Sequence, residues 1–137
     1  MMLKNNGFTL IELMVVVLVI GILATMAIPN LLNMKDRARE SEVQSNAHTV
    51  QLAVESYGVN NDGIYSTAAG DILPHLPGSA LLRNSFTGQF TEPHFGQAAA
   101  APGEIGVEPV LENGIIVGYS ISAFGKDGNI LILETGN

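Results

Sequence analysis

From Phe8 to Ile28 only Thr9, Glu12, Gly21 and Thr25 interrupt a run of strongly apolar residues. As a helix this run would measure about 31 Å at roughly 1.5 Å per residue, against the ~30 Å hydrocarbon core of a bilayer. A helix that is apolar all round must be buried, in lipid or among other helices. A secretory signal peptide has a shorter apolar core and ends in a small-residue cleavage site. Here the run is longer and closes on Ala27-Ile28-Pro29-Asn30, a poor site of that kind, so the segment reads as retained. The rest of the 137-residue chain is enough for one small domain.

Charge and cysteine content narrow what that domain can do. The chain carries a formal net charge of −7, and from Asp62 to Asn137 two basic residues face eight acidic ones. Binding to a phosphate backbone needs clustered Lys and Arg, so no nucleic-acid partner is expected. With no cysteine there is neither a disulfide framework nor a thiolate metal site. Lys35, Arg37 and Arg39 follow the apolar run, whereas Lys4 and the amino group precede it. A plain positive-inside count therefore keeps the C-terminal part in the cytoplasm.

Past Pro29, the stretch Leu31 to Tyr57 contains no Gly or Pro, and Val43, Ala47, Val50, Val54 and Tyr57 recur at spacings of four and three. That is one apolar stripe along a helix. Asp36 and Arg39 stand at i,i+3, close enough to pair. Gly58 and Asn60-Asn61-Asp62-Gly63 supply a helix stop and a turn. One helix from about Phe8 to Tyr57 is expected, bent or locally melted at Gly21 and Pro29, the two candidate points of flexibility.

Beyond it, residues 60–113 read as loop-rich, with a short helix or turn near Ile72–Leu82 and a small-residue loop from Gly96 to Pro109. Gly114–Phe124 and Asn129–Glu134 alternate apolar and β-branched residues around Gly125-Lys126-Asp127-Gly128, which reads as a β-hairpin. Its apolar face would pack on the Val43–Tyr57 stripe. The resulting fold class is α+β. A long N-terminal helix, transmembrane in its first half and amphipathic in its second, packs against a small C-terminal antiparallel sheet.

Catalytic patterns are missing. His48 falls on the helix and His75 and His94 in loops, none at ligand spacing from another His. No nucleophile motif or phosphate-binding loop occurs, and the acids are scattered rather than paired. The chain is not expected to be an enzyme.

The order Lys4, Gly7, then Phe8-Thr9-Leu10-Ile11-Glu12 ahead of the apolar run resembles the class III signal of type IV pilins and pseudopilins. The resemblance covers about the first 60 residues strongly and the remainder loosely. It implies removal of residues 1–7 by a prepilin peptidase cutting between Gly7 and Phe8, and N-methylation of Phe8. It also implies a transmembrane and filament-core helix over 8–29, its amphipathic continuation over 30–58, and a pilin-like domain over 59–137. The leader would lie in the cytoplasm and the domain across the inner membrane, overruling the charge count.

A carboxylate in hydrocarbon costs roughly 2.5–3.5 kcal/mol and needs a partner. The resemblance supplies one, pairing Glu12 with the Phe8 amine of a neighbouring copy, so Phe8 and Glu12 become the assembly residues. The implied partners are further copies of the chain, the peptidase, and an inner-membrane platform with its ATPase.

Two family members stay open, a subunit of a surface pilus or the major pseudopilin of type II secretion. A single-pass anchored binding module is the reading from another class. Some pseudopilins hold calcium near the segment matched by Ser122–Gly128, but Asp127 and Asn129 alone fall short of the roughly six oxygens a calcium ion needs. No cofactor is therefore expected.

Overall fold

Thr9 opens the first helix. Its backbone carbonyl accepts the N–H of Leu13 at 3.3 Å, and helix α1 runs Leu10–Asn60. The computed structural model describes residues 7–135, with side chains through Glu134. Residues 1–6, most of the expected leader, lie outside the described residues. The chain divides into two compact units, Met1–Lys35 and Asp36–Asn137, so the amphipathic part of α1 belongs to the same unit as the sheet.

In the first unit, Gly21 and Pro29, where a bend or local melting was expected, both lie inside α1 in helical conformation. Proline has no N–H to give the Thr25 carbonyl four residues back. The Thr25 hydroxyl satisfies itself on the helix, donating to the Ile22 carbonyl at 2.7 Å. The helix is long and apolar enough to cross a membrane, with a mean hydropathy of 2.7 in its most apolar window.

In the second unit α1 buries Val43, Ala47, Val50, Ala53 and Val54, the expected stripe with Ala53 added, while Tyr57 is half-buried beside it. Gly58 is helical rather than the stop. The helix ends where Asn61 Nδ2 donates to the Tyr57 carbonyl at 2.9 Å and Gly63 N–H donates to the Gly58 carbonyl at 2.8 Å. Asp62 and Gly63 turn the chain with φ of 55° and 83°. Helix α2 (Ala69–Ile72) and two 3-10 turns, Leu73–His75 and Pro77–Ser79, follow where a short helix was expected.

Strands β1 (Leu82–Arg83) and β2 (Phe90–Glu92) form a two-stranded sheet. A second sheet has the order β3 (His94–Phe95), β4 (Ile105–Glu112), β5 (Ile115–Phe124), β6 (Asn129–Thr135). The expected hairpin is β5–β6, with Gly125 N–H closing its turn on the Gly128 carbonyl at 2.7 Å. β4 is a correction. The last five residues of the supposed Gly96–Pro109 loop belong to a strand inside the sheet, antiparallel to β5, while the short β3 pairs with it in parallel. Ile105, Val107, Tyr119, Ile121 and Ala123 face the helix stripe and are fully buried.

Candidate functional site

The Thr9-x-x-Glu12 spacing builds a capping box at the start of α1. Glu12 Oε2 accepts the Thr9 N–H at 2.9 Å and the Thr9 hydroxyl at 2.7 Å, and the Glu12 N–H approaches Thr9 Oγ1 at 3.4 Å. The box satisfies amide donors that every helix start leaves open. A partner on another copy was the expected answer to Glu12. The structure adds a nearer one, three residues back, which the S/T-x-x-E pattern could have revealed. The carboxylate also sits in the first turn, where the positive end of the helix dipole favours it.

Gly7 and Phe8 precede this cap in exposed chain that belongs to no helix or strand. The structure brings Phe8 and Glu12 to one end of α1 and leaves Gly21 and Pro29 further along it. The side chains of residues 8–28 are exposed apart from partial cover at Ala24. The first unit thus presents an apolar cylinder whose one carboxylate is internally hydrogen-bonded. Such a surface can enter hydrocarbon or pack against others of its kind.

The second unit contains a polar site that the sequence reading missed. Glu92 is completely buried: Oε1 accepts from Asn84 Nδ2 at 2.9 Å and the Thr91 hydroxyl at 3.0 Å, and Oε2 from the Ile105 N–H at 2.8 Å. Asn84 Oδ1 in turn takes the N–H groups of Phe86 and Thr87, at 2.9 and 3.0 Å, folding Arg83–Phe90 into a turn. Gly103, at φ 85°, is required here because a Cβ would run into the Asn84 amide. The cluster ties the turn after β1 and the strand β2 to the start of β4, a structural role. No local spacing signals it, because its members come from three separate segments.

His48 lies on α1 as expected, whereas His75 and His94 lie in short elements rather than loops. His94 belongs to β3, its Nε2 3.7 Å from Glu92 Oε1 and 3.8 Å from Glu104 Oε1. His75 lies in a 3-10 turn, with Nδ1 3.0 Å from the Ser56 hydroxyl and its ring edge-on to Tyr57. Among the described residues no group of three or more His, Asp or Glu could hold a metal ion. The β5–β6 turn instead serves as a clasp. Lys126 Nζ reaches Asp36 Oδ2 at 2.6 Å, and the Lys126 N–H donates to Glu40 Oε1 at 3.1 Å. The hydrogen bond to Asp36, with that carboxylate's attraction, raises the Lys126 pKa above its ordinary value. Asp36 also meets Arg39 at 3.6 Å, the expected i,i+3 pair.

Residues 2–28 match the family described as Prokaryotic N-terminal methylation motif. The chain is 45% identical over 69 residues to the type IV major pilin protein PilA of Myxococcus xanthus, covering 50% of this chain and 31% of that one. It is 35% identical over 84 residues to the type II secretion system core protein G of Aeromonas hydrophila, covering 61% and 59%. Against the type IV major fimbrial protein FimA of Dichelobacter nodosus it is 37% identical over 127 residues, covering 93% and 69%. The matches to PilA and to the Aeromonas protein span less than two thirds of those relatives. No solved structure shows significant similarity.

Proposed function

The chain belongs to the type IV pilin and pseudopilin family, and from that premise we propose that it is a structural subunit of a type IV pilus-like filament. The observation that carries this reading is the uncovered apolar helix whose capped carboxylate follows Gly7-Phe8 within the stretch that the family model matches. A prepilin peptidase removes Met1–Gly7 on the cytoplasmic side and methylates Phe8. Residues 8–29 hold the precursor in the inner membrane, with the C-terminal domain outside the cytoplasm. An assembly platform and its ATPase then draw the subunit into the filament, with Gly21 and Pro29 as the points where α1 can yield. The reading requires no cofactor.

Glu12 acts twice in this scheme. In the membrane its charge is spread over the Thr9 donors, which lowers the cost of holding a carboxylate in hydrocarbon. After cleavage the Phe8 amine of an adjoining copy pairs with it. In a dry interface that contact penalises any register leaving either charge alone.

Mass spectrometry of the protein from its own cells tests the scheme directly. Loss of Met1–Gly7 with one added methyl on Phe8 is expected; an intact leader would sink it. Glu12→Ala subunits should be made and inserted but fail to enter filaments.

A pseudopilin of type II secretion is the second reading. The resemblance to core protein G and the Ser122–Gly128 ending favour it, whereas the fimbrial match extends over more of the chain. Shearing intact cells separates the two, since a surface pilus releases long external filaments and a periplasmic pseudopilus does not.

A further inference from the structure

No charged residue falls between Glu12 and Lys35, and both stand on α1 within the unit Met1–Lys35. The charge-free stretch 13–34 is 22 residues, about 33 Å at ~1.5 Å each, against a hydrocarbon core of ~30 Å. A span over 8–29 fits the same core, so length does not choose between them. The two placements differ by a slide of five residues along one helix, about 7.5 Å.

Sliding exchanges one set of apolar side chains for another. The 8–29 placement buries Phe8, Leu10 and Ile11 and leaves Leu31, Leu32 and Met34 in water, and the 13–34 placement does the opposite. Each set is three large side chains, all more than half exposed within the chain, so the apolar burial is nearly equal. Polar groups therefore decide. The first placement sinks the Glu12 carboxylate about 6 Å into hydrocarbon, and the Thr9 cap shares that charge without neutralising it. The second sinks Asn30 about as far, with Asn33 at the edge, and a neutral amide costs less there than a charge.

We propose that the unassembled subunit rides in the bilayer on residues 13–34, with Glu12 in the headgroup layer of one leaflet and Lys35 in that of the other. The inference rests on the filament reading and states where its membrane-held subunit sits, five residues further along α1 than 8–29. Lys35 is exposed, and a lysine at the end of a span lays its methylenes along apolar surface while its ammonium reaches the lipid phosphates. Gly7 and Phe8, in exposed chain before the cap, then stand outside the hydrocarbon, where the bond between them is open to a peptidase. In this placement the Thr9–Glu12 cap meets hydrocarbon only when the subunit is drawn outward.

The experiment uses the full chain in nanodiscs of phosphatidylethanolamine and phosphatidylglycerol, which open both faces to a water-soluble maleimide. The chain has no native cysteine, so only introduced ones react. Leu10→Cys should label about tenfold faster than Leu31→Cys, with Val19→Cys protected and the exposed Ser41→Cys fully reactive. Adding Glu12→Leu should undo the difference, slowing Leu10→Cys and quickening Leu31→Cys several-fold. Equal or reversed rates without that substitution, while Val19→Cys stays protected, overturn the placement and leave the membrane-held subunit standing. A difference that survives Glu12→Leu unchanged overturns it too, because the carboxylate would not be what sets the depth. If Val19→Cys labels as fast as Ser41→Cys, the helix is not in the bilayer and both readings fall.

Discussion

Residues 10–28 and residues 43–58 both lie on α1 and both draw their apolar surface from Val, Leu and Ala, yet they solve opposite problems. In the second stretch apolar residues are confined to one face, and a sheet of this same chain covers them. In the first they go all round, and nothing within the unit covers them. The contrast shows where folding of the chain ends and assembly begins. The second stretch is finished by intramolecular packing, whereas the first is finished only by lipid or by other copies. The carboxylates follow the same division. Glu12 is satisfied by a residue three positions away and can travel between environments with its partner. Glu92 is satisfied by three segments that meet only in the folded domain.

The largest test of this contrast uses one substitution in both regions. Ile121→Ala removes a fully buried side chain against the helix and should cost about 3–4 kcal/mol in denaturant unfolding of the detergent-solubilised chain. Ile20→Ala should change that stability by less than about 0.5 kcal/mol, its effect appearing in filament yield instead. Equal losses at both sites would abolish the distinction.

Glu92→Leu comes next. It strands the Asn84 amide, the Thr91 hydroxyl and the Ile105 N–H in a dry site, and about 2–3 kcal/mol should be lost in the same assay. Glu92→Gln keeps the shape and an acceptor oxygen, and should lose less.

Glycine substitutions should differ in sign. A Cβ at Gly21 meets nothing, so Gly21→Ala should strengthen the local helix by up to about 1 kcal/mol, read as slower amide exchange around it. At Gly58 a Cβ would stand 2.8 Å from the Tyr65 ring, so Gly58→Ala should lower the melting temperature despite the same helical preference. If Gly21 is a point of yielding, its alanine variant should also assemble poorly.

The smallest effect belongs to the Lys126 clasp. Because Asp36 raises the Lys126 pKa in the fold, its contribution is complete at neutral pH and disappears as pH climbs through the raised value, above 10.5. Lys126→Met should therefore be slightly less stable than the parent at pH 7, and the two should converge in alkaline solution. An exposed pair of this kind contributes little, so a large difference at pH 7 would mean the turn does more than close the sheet on α1.

Legibility followed the range of the interactions. Helix periodicity and the β5–β6 alternation are local, and both could be read directly. β4 was hidden by Gly106 and Pro109, which read as loop residues. In the fold, Gly106 is needed because the backbone of Gln97–Ala99 lies where a Cβ would go. Pro109 is tolerated because β3 reaches only Gly106 and Val107, leaving β4 an edge strand at that point. Neither reason exists until distant segments meet.

The sequence by itself determined the cleavable-looking start, the capped and wholly apolar helix, and the stripe that needs a sheet. These features depend on residues within one or two helical turns of each other, whose geometry the backbone sets. Only the tertiary structure decided that Glu92 gathers donors from three segments and that Lys126 clasps the helix. Those outcomes depend on where segments tens of residues apart are brought to rest, and no local period encodes that.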